Sequence, residues 1–430
     1  MRMRFGMMIL MASVAFGADW QQWRGPYFNG SVDQQNLPTV LDPNQTLLWK
    51  TPLPGKSSAT PVITAGKVYL SSTQNGSDRL LAMCLDAETG RILWQYAAAG
   101  ANRKFPSGNT MASCSPCAEP DGAAFLFGEG TLVKLDTAGK DVWKRNLVAD
   151  YGPLTLDFGY SSSPLLLDGR LYIPVLRRSK ASSDSNNQTE LESYLLCVNA
   201  ADGKTIFKHV RPTDALEEST NAYTTPLPIM IGGKMHVVVY GGDCVTGHDP
   251  QTGKELWRHT YIVAEKRKID RQIPTPVAAD GILVCAWPRG DKTFALDINK
   301  LAANQPPQVW MIDEPGSDIT CAAVYQGNLY QITEKTRLLT CLNPKNGHVH
   351  WTAQLDKADM YYASITAGDG KLYMVNRKGV VTIAAADPAA FRVLSTQTLD
   401  EQPVDSSIAI ADGKLFLRTA ENLYCFGIKK

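Results

Sequence analysis

The sequence predicts an all-β fold, an eight-bladed β-propeller of four-stranded antiparallel blades closed by an N-terminal strand that completes the last blade. Three observations predict it. A pair of half-motifs recurs along the chain. The glycines that mark the recurrence lie about 50 residues apart. The final copy lacks an outer strand, and a lone outer strand stands before the first copy.

In the first half-motif a small or polar residue, often followed by Pro, leads through apolar residues to a Gly and an apolar-Tyr-apolar triplet. It reads TPVITAGKVYL at Thr60–Leu70, SPLLLDGRLYI at Ser163–Ile173, TPLPIMIGGKMHVVV at Thr225–Val239 and TPVAADGILVC at Thr275–Cys285. It continues as CAAVYQGNLYQI at Cys321–Ile332, SITAGDGKLYMV at Ser364–Val375 and SIAIADGKLFL at Ser407–Leu417. SPCAEPDGAAFLF at Ser115–Phe127 is a weaker copy. The marker glycines are Gly66, Gly122, Gly169, Gly233, Gly281, Gly327, Gly370 and Gly413.

The second half-motif is an apolar strand ending near Asp, a turn ending in Gly, and apolar residues closing on Trp. Leu81–Trp94, Leu132–Trp143, Gly247–Trp257, Leu338–Trp351 and Leu195–Phe207 carry it, and degraded copies end at Trp310 and near Val393-Leu394. Two-residue alternation marks these runs as strands. Turns such as AETG and AADG place Gly where φ must be positive. A four-stranded sheet of this size cannot bury both faces alone, whereas sheets packed around an axis can.

Closure follows from the chain's two ends. Ser407–Phe426 supplies three strands of the last unit, and Thr46–Trp49 has the outer-strand pattern with no first half before it. Pairing them completes the blade and removes an exposed edge. If the weak second copy forms no blade, the count falls to seven.

Ahead of the repeats, residues 1–17 read as a secretory signal peptide. MRMR carries two Arg, Phe5–Phe16 is apolar and too short to span a bilayer, and Ala15-Phe16-Gly17 offers small residues for cleavage. The absence of a Cys near that point argues against a lipid anchor, and no later stretch reads as a transmembrane helix. A periplasmic or secreted location is expected. Residues 18–45, with WQQWRGPYFNG at Trp20–Gly30, form an aromatic segment expected to cover one end of the propeller, which itself occupies residues 46–430.

Composition narrows the function. Lys plus Arg is 43 and Asp plus Glu is 42, so no basic excess points to nucleic acid. Hydrophobic residues at 44% and charged residues at 20% exclude wholesale disorder. In a propeller the residues just before each innermost strand ring the channel mouth. These include Lys56, Ser57, Tyr160, Tyr223, Arg271, Gln272, Asp318, Tyr361, Tyr362 and Asp405. Aromatics and opposite charges converging on a funnel suit a small polar ligand or a peptide, and a water-filled lining is the alternative.

The nine Cys are odd in number, so at least one has no intrachain disulfide partner. Cys84, Cys197, Cys341 and Cys425 recur at one register in different units and read as buried thiols. Cys114 and Cys117 have redox-motif spacing, but an offset of three on a strand puts them on opposite faces and no helix follows to activate them. His348 and His350 share a strand face, yet zinc needs three or four ligands. Asp86 and Asp202 cap their own turns. Lys266-Arg267-Lys268 with Arg271 reads as a basic loop, and Arg177–Glu190 as a polar insertion.

The LDxxTGxxLW and GKLY halves and the eightfold count resemble the pyrroloquinoline-quinone-like (PQQ-like) repeat. The WxxWRGPxxxG start is similar to that of exported propellers of the same group. The resemblance implies one of two classes. Quinoprotein dehydrogenases oxidise alcohols or sugars with the quinone and calcium. Non-catalytic propellers, similar to the scaffold of the outer-membrane assembly machine, bind partner proteins. Alcohol-oxidising members are expected to carry adjacent cysteines, and the nearest approach here is Cys114-Ser115-Pro116-Cys117. A Glu, Asn and Asp set for calcium is not recognisable either. The expectation is therefore an exported, non-catalytic scaffold that binds a protein or ligand in the cell envelope, with no catalytic residue, metal or cofactor. The alternatives are a quinoprotein oxidoreductase using PQQ and calcium, and a carbohydrate-binding propeller suggested by Tyr361-Tyr362.

Overall fold

The structure, a computed structural model, describes residues 19–429 except 101, 104, 106–108, 180–190, 263–267, 315 and 400. The expected signal peptide lies outside the described residues, as do most of the polar insertion and Lys266-Arg267 of the basic run.

Eight separate four-stranded antiparallel sheets account for the strands. The first blade comprises Val62–Thr64, Lys67–Thr73, Arg79–Asp86 and Ile92–Gly100. The next six begin with innermost strands Cys117–Glu119, Leu165–Leu167, Leu227–Ile231, Val277–Ala279, Ala323–Tyr325 and Thr366–Gly368. The eighth contains Ala409–Ala411, Lys414–Arg418, Asn422–Phe426 and, from the other end of the chain, Leu47–Pro52. Trp49 stands opposite Cys425 and Thr51 opposite Leu423 in that closing pair. The weak second copy forms a complete blade ending with Asp141–Asn146, so the count is eight.

Most blades turn from first to second strand through two residues of positive φ. Ala65-Gly66 (48° and 72°), Asp168-Gly169 (49° and 69°) and Asp412-Gly413 (50° and 70°) are examples. That geometry is the hairpin turn whose twist matches the strands it joins. Second and third strands are buried on both faces, as in Arg79–Asp86 and Val380–Ala385, because each blade is sandwiched between two neighbours. Outer strands alternate, as in Thr205–Val210. Cys84, Cys197, Cys341 and Cys425 all lie in third strands, and all nine thiols are free and buried.

The outer-strand tryptophans fasten blade to blade. The indole N–H of Trp49 donates to Ala87 O (3.2 Å), Trp94 to Thr137 O (3.1 Å), Trp143 to Ala200 O (2.9 Å) and Trp310 to Pro344 O (2.9 Å). In each case the acceptor sits in the turn of the following blade that runs from Asp or Asn to Gly. A Cβ on Gly203 would lie 2.6 Å from the Trp143 ring, so that glycine permits the ring to lie flat on the turn. Trp257 differs and donates to His236 Nδ1 of its own blade (3.1 Å). The following blade replaces the turn with a short helix, Ile298–Ala302, capped by Asp297 and packed against the strand that carries Trp257.

Innermost strands leave their axial edge unpaired, and unpaired backbone groups must find partners. Residues 20–37 supply them at one end of the channel. Ile63 N donates to Trp20 O (2.9 Å), Ala118 N to Gln21 O (2.8 Å), Val324 N to Asn29 O (3.2 Å) and Ala367 N to Gly30 O (2.8 Å). The Gln22 amide exchanges two hydrogen bonds with the Leu166 backbone. Arg24, 3% exposed, donates to Ile365 O (3.0 Å), Asn29 O (3.2 Å) and Ala322 O (2.5 Å). Its charge is thus solvated by carbonyl dipoles. This strap thus bonds to the innermost strands of five blades.

Cys114 and Cys117 do not face opposite ways. Both belong to the apolar layer between the second and third blades. The strand begins only at Cys117, so the alternation rule does not reach back to Cys114. Burial pushes both thiols upward in pKa. His348 and His350 are exposed with rings 5.3 Å apart. No helix among the described residues is long and apolar enough to cross a membrane.

Two stability outcomes follow. Gly66→Ala meets open space and should cost only the left-handed conformation, about 1–2 kcal/mol, whereas Gly203→Ala adds the clash with Trp143 and should cost clearly more in urea unfolding. His248 is fully buried between Gly253 O and Thr246 Oγ1, and burial holds it down at about 4. Between its ordinary value and about 4 the unfolded chain binds a proton that the native chain does not. Stability should therefore fall with pH through that window, by up to about 3 kcal/mol from this group. The difference between the parent and His248→Gln in paired urea melts at neutral and acidic pH measures it.

Candidate functional site

The residue that opens each first half-motif is small and, seven times in eight, a hydroxyl: Thr60, Ser115, Ser163, Thr225, Thr275, Cys321, Ser364 and Ser407. The fold places these eight side by side around the axis, and seven of the backbone N–H groups donate to the side chain of the next. Thr60 N donates to Ser115 Oγ (2.9 Å) and Ser115 N to Ser163 Oγ (3.0 Å). Thr225 N donates to Thr275 Oγ1 (2.9 Å), Thr275 N to Cys321 Sγ (3.2 Å) and Cys321 N to Ser364 Oγ (2.9 Å). Ser364 N donates to Ser407 Oγ (2.9 Å), and Ser407 N to Thr60 Oγ1 (3.3 Å) closes the ring. Between the third and fourth blades, where Ser163 and Thr225 stand, the stitching is a backbone bridge of Leu176 with Ala222 instead.

Above this belt the channel widens into a cup of ≈ 230 Å³. Trp23, carried by the strap, lies at its base. Ser58, Asn109, Ser113 and Ser161 line it on the side of the first three blades, belt hydroxyls line it on all sides, and Phe158, Tyr223, Arg271, Ile273, Ile319, Tyr362 and Asp405 line the remainder.

The charged groups at the rim are spent on one another. Arg271 lies over the Phe158 ring (5.2 Å) with Nη2 3.4 Å from Asp318 Oδ2 and Nη1 3.7 Å from Glu218 Oε1. Arg289 contacts the same Glu218 oxygen at 2.8 Å. Burial pushes Glu218 upward against the pull of Arg271. Arg377 stacks on Tyr362 (4.5 Å) and donates from Nε to Asp405 Oδ1 (2.8 Å).

The segment that carries Asp318 and Ile319 is held by one carboxylate. Glu334, 2% exposed, accepts from Ser317 Oγ (2.6 Å), Asp318 N (3.0 Å), Ile319 N (2.9 Å) and Thr320 N (2.5 Å). Burial pushes this carboxyl upward, and the four donors oppose that shift.

Of the ten residues singled out from the sequence, Tyr223, Arg271, Tyr362 and Asp405 line the cup, and Asp318 stands behind Arg271. Ser57 is buried and donates to Ala112 O (2.7 Å), joining blades one and two. Tyr160 donates to Pro174 O (2.8 Å) inside a blade interface, and Gln272 donates to Ala286 O (3.2 Å). Tyr361 is buried in the core near the sixth and seventh blades, and Lys56 is exposed. Sequence reasoning missed Trp23, Asn109, Phe158, Ile319 and the whole hydroxyl belt. The belt had a signal, since its members are the first letters of the recurring motif.

Comparison with known proteins adds a family. A family model described as outer membrane protein assembly factor BamB matches residues 31–173, 130–352 and 245–390 in three overlapping placements. The chain belongs to that family. Overlapping matches are what a ring of similar blades produces, because the same model fits at several rotations. The PQQ-like propeller fold is shared with BamB from Moraxella catarrhalis, at 13% identity and a TM-score of 0.61, covering 89% of this chain and 99% of that one. It is shared also with a europium-containing methanol dehydrogenase, at 11% identity and a TM-score of 0.68, covering 95% and 98%. Quinohemoprotein alcohol dehydrogenase from Comamonas testosteroni is similar at 12% identity and a TM-score of 0.68, covering 97% and 82%. A curated relative, polyvinylalcohol dehydrogenase from Sphingopyxis sp. (strain 113P3), is 26% identical over 195 residues. That match spans 44% of this chain and 28% of the relative.

The dehydrogenases that share this fold raise the question of whether this cup suits the quinone. PQQ carries three carboxylates, so its site must offer several uncommitted cations or a metal. Among the described residues Arg271 is the cation that lines the cup, and it faces Glu218 and Asp318, while Arg377 stands behind Tyr362 and pairs with Asp405. No group of three or more His, Cys, Asp or Glu among the described residues is placed to hold a metal ion. Among the described residues, one ion-paired arginine and no metal-ligand cluster are a poor fit to the quinone with calcium.

Glu334→Gln tests the rim's support. Whichever way the amide turns, at least one backbone N–H then faces a donor. We expect a loss of about 1–3 kcal/mol in thermal or urea unfolding.

Proposed function

We propose that the chain is an exported, non-catalytic binding propeller of the cell envelope, with the central cup as its ligand site and envelope proteins as partners. The observation that carries this reading is the rim's internal neutrality. Arg271 is shared by Glu218 and Asp318, and Arg377 is engaged by Asp405. Among the described residues that line the cup there is no His, Lys or Cys, and its charged groups, Arg271 and Asp405, are each ion-paired, whereas catalysis needs an acid, base or nucleophile in reach of the substrate. Membership of the assembly-factor family and the charged, apolar and small-residue order of the first 17 residues support an envelope location.

The second reading, a quinoprotein oxidoreductase of alcohols or sugars, is favoured by the partial match to polyvinylalcohol dehydrogenase. One experiment separates the two. The mature chain is incubated with PQQ and calcium, dialysed, scanned for retained quinone absorbance, and assayed for dye reduction with alcohols and sugars. We expect no retained quinone and no substrate-dependent reduction. Stoichiometric retention with turnover would overturn the proposal.

A further inference from the structure

We propose that the cup holds the terminal ring of a neutral sugar, an assignment that rests on the binding reading above and specifies its ligand. Hydroxyls line the cup on all sides, and Ile273, Ile319 and aromatic rings stand between them. Blades one to three present hydroxyls, among them Ser58, Ser161 and the belt residue Ser163. Belt hydroxyls such as Ser115 and Ser163 accept a backbone N–H from the neighbouring blade, so each keeps its own O–H proton to donate. Thr225, Ser364 and Ser407 continue the hydroxyls round the cup, and Trp23, Phe158, Ile273, Ile319 and Tyr362 supply its apolar lining. A pyranose ring has the same two kinds of group, hydroxyls at its edge and C–H groups on its faces, and aromatic rings accept the latter.

Charge and size narrow the class. Among the described residues the rim arginines and carboxylates balance one another as ion pairs, so a charged ligand meets no uncompensated charge, while Arg271 Nε and Nη1 and Asp318 Oδ1 still lack hydrogen-bond partners. A neutral ligand needs no such charge. Asp405 accepts from Arg377 through Oδ1, which leaves Oδ2 to accept from a ligand hydroxyl. The cup's ≈ 230 Å³ lies below the ~300–1,000 Å³ of sites for drug-sized molecules. One ring fits this scale better than a chain of them. The strap that carries Trp23 bonds to the innermost strands of five blades, so a longer glycan would enter by its end and leave the remainder outside.

The test uses the full mature chain and three neutral probes, the methyl glycosides of glucose, galactose and N-acetylglucosamine. Glucuronate and glucosamine serve as charged counterparts. Saturation-transfer NMR and tryptophan fluorescence report binding. At least one neutral glycoside should give a saturable signal, and it should bind at least tenfold more tightly than its charged counterpart. Ser161→Val and Tyr362→Leu, checked for an unchanged melting temperature, should each weaken it at least tenfold. If a variant melts early, chemical-shift mapping on the parent protein replaces it, and shifts must centre on the cup. No saturable signal from any neutral glycoside, tighter binding of a charged one, or undiminished binding in folded variants would overturn the assignment. The quinone assay above reports separately. Quinone retention with turnover removes the binding reading itself, whereas silence in both assays removes only the sugar.

Discussion

A single kind of hydrogen bond sets the dimensions of this molecule: a backbone N–H donating to the small side chain at the same position of the next blade. Seven such bonds run around the axis from Thr60 through Ser407 and back to Thr60. Their length, near 3 Å, fixes how closely eight inner strands approach. A larger side chain at any of these positions would push two blades apart, and a side chain without an acceptor would orphan a buried N–H. The wide radius has its own belt, made of tryptophans on the turns of the following blade. Inner polar bonds and outer aromatic contacts together prevent each blade from tilting about its neighbour.

That inner ring creates a problem of its own, because an eight-fold circle of strands surrounds a channel whose walls are strand edges. The strap answers it at one end by offering backbone carbonyls and the Gln22 amide to the inner strands. Its Arg24 stands among carbonyl oxygens rather than carboxylates, which locks the strap to the sixth and seventh blades without placing a second charge in the core. The same strap brings Trp23 to the base of the cup. A segment that completes hydrogen bonding thus also lines the site.

The fold was legible in the sequence because its devices repeat. Eight turn glycines, eight outer-strand ends and a displaced strand at Thr46–Trp49 specify blade number and closure without reference to any distant contact. The site was legible only in part, for a definite reason. The segments entering the innermost strands alternate in direction residue by residue, and nothing in Arg271-Gln272 or Tyr361-Tyr362 says which of the pair turns inward. Arg271 and Tyr362 face the cup, whereas Gln272 and Tyr361 point into the walls. Trp23 and Phe158 lie outside the repeat altogether, so no periodic argument could assign them to the axis. Ser115 and its equivalents were visible as motif letters, but their shared role appears only when the ring is closed.

The closing strand carries a kinetic consequence. Residues 47 and 426 are paired neighbours in the eighth blade, so that blade is assembled from the two extremes of the propeller sequence. Every other blade is local and can form from its own stretch of about 50 residues. The eighth must wait until nearly the whole chain has been brought round. The entropy of that closure grows only logarithmically with loop length, but its sequence separation places it among the slow, non-local events of folding. Until it occurs, the edges of Asn422–Phe426 and Leu47–Pro52 are both open. The ring is therefore most exposed to mispairing with other chains at its very last step.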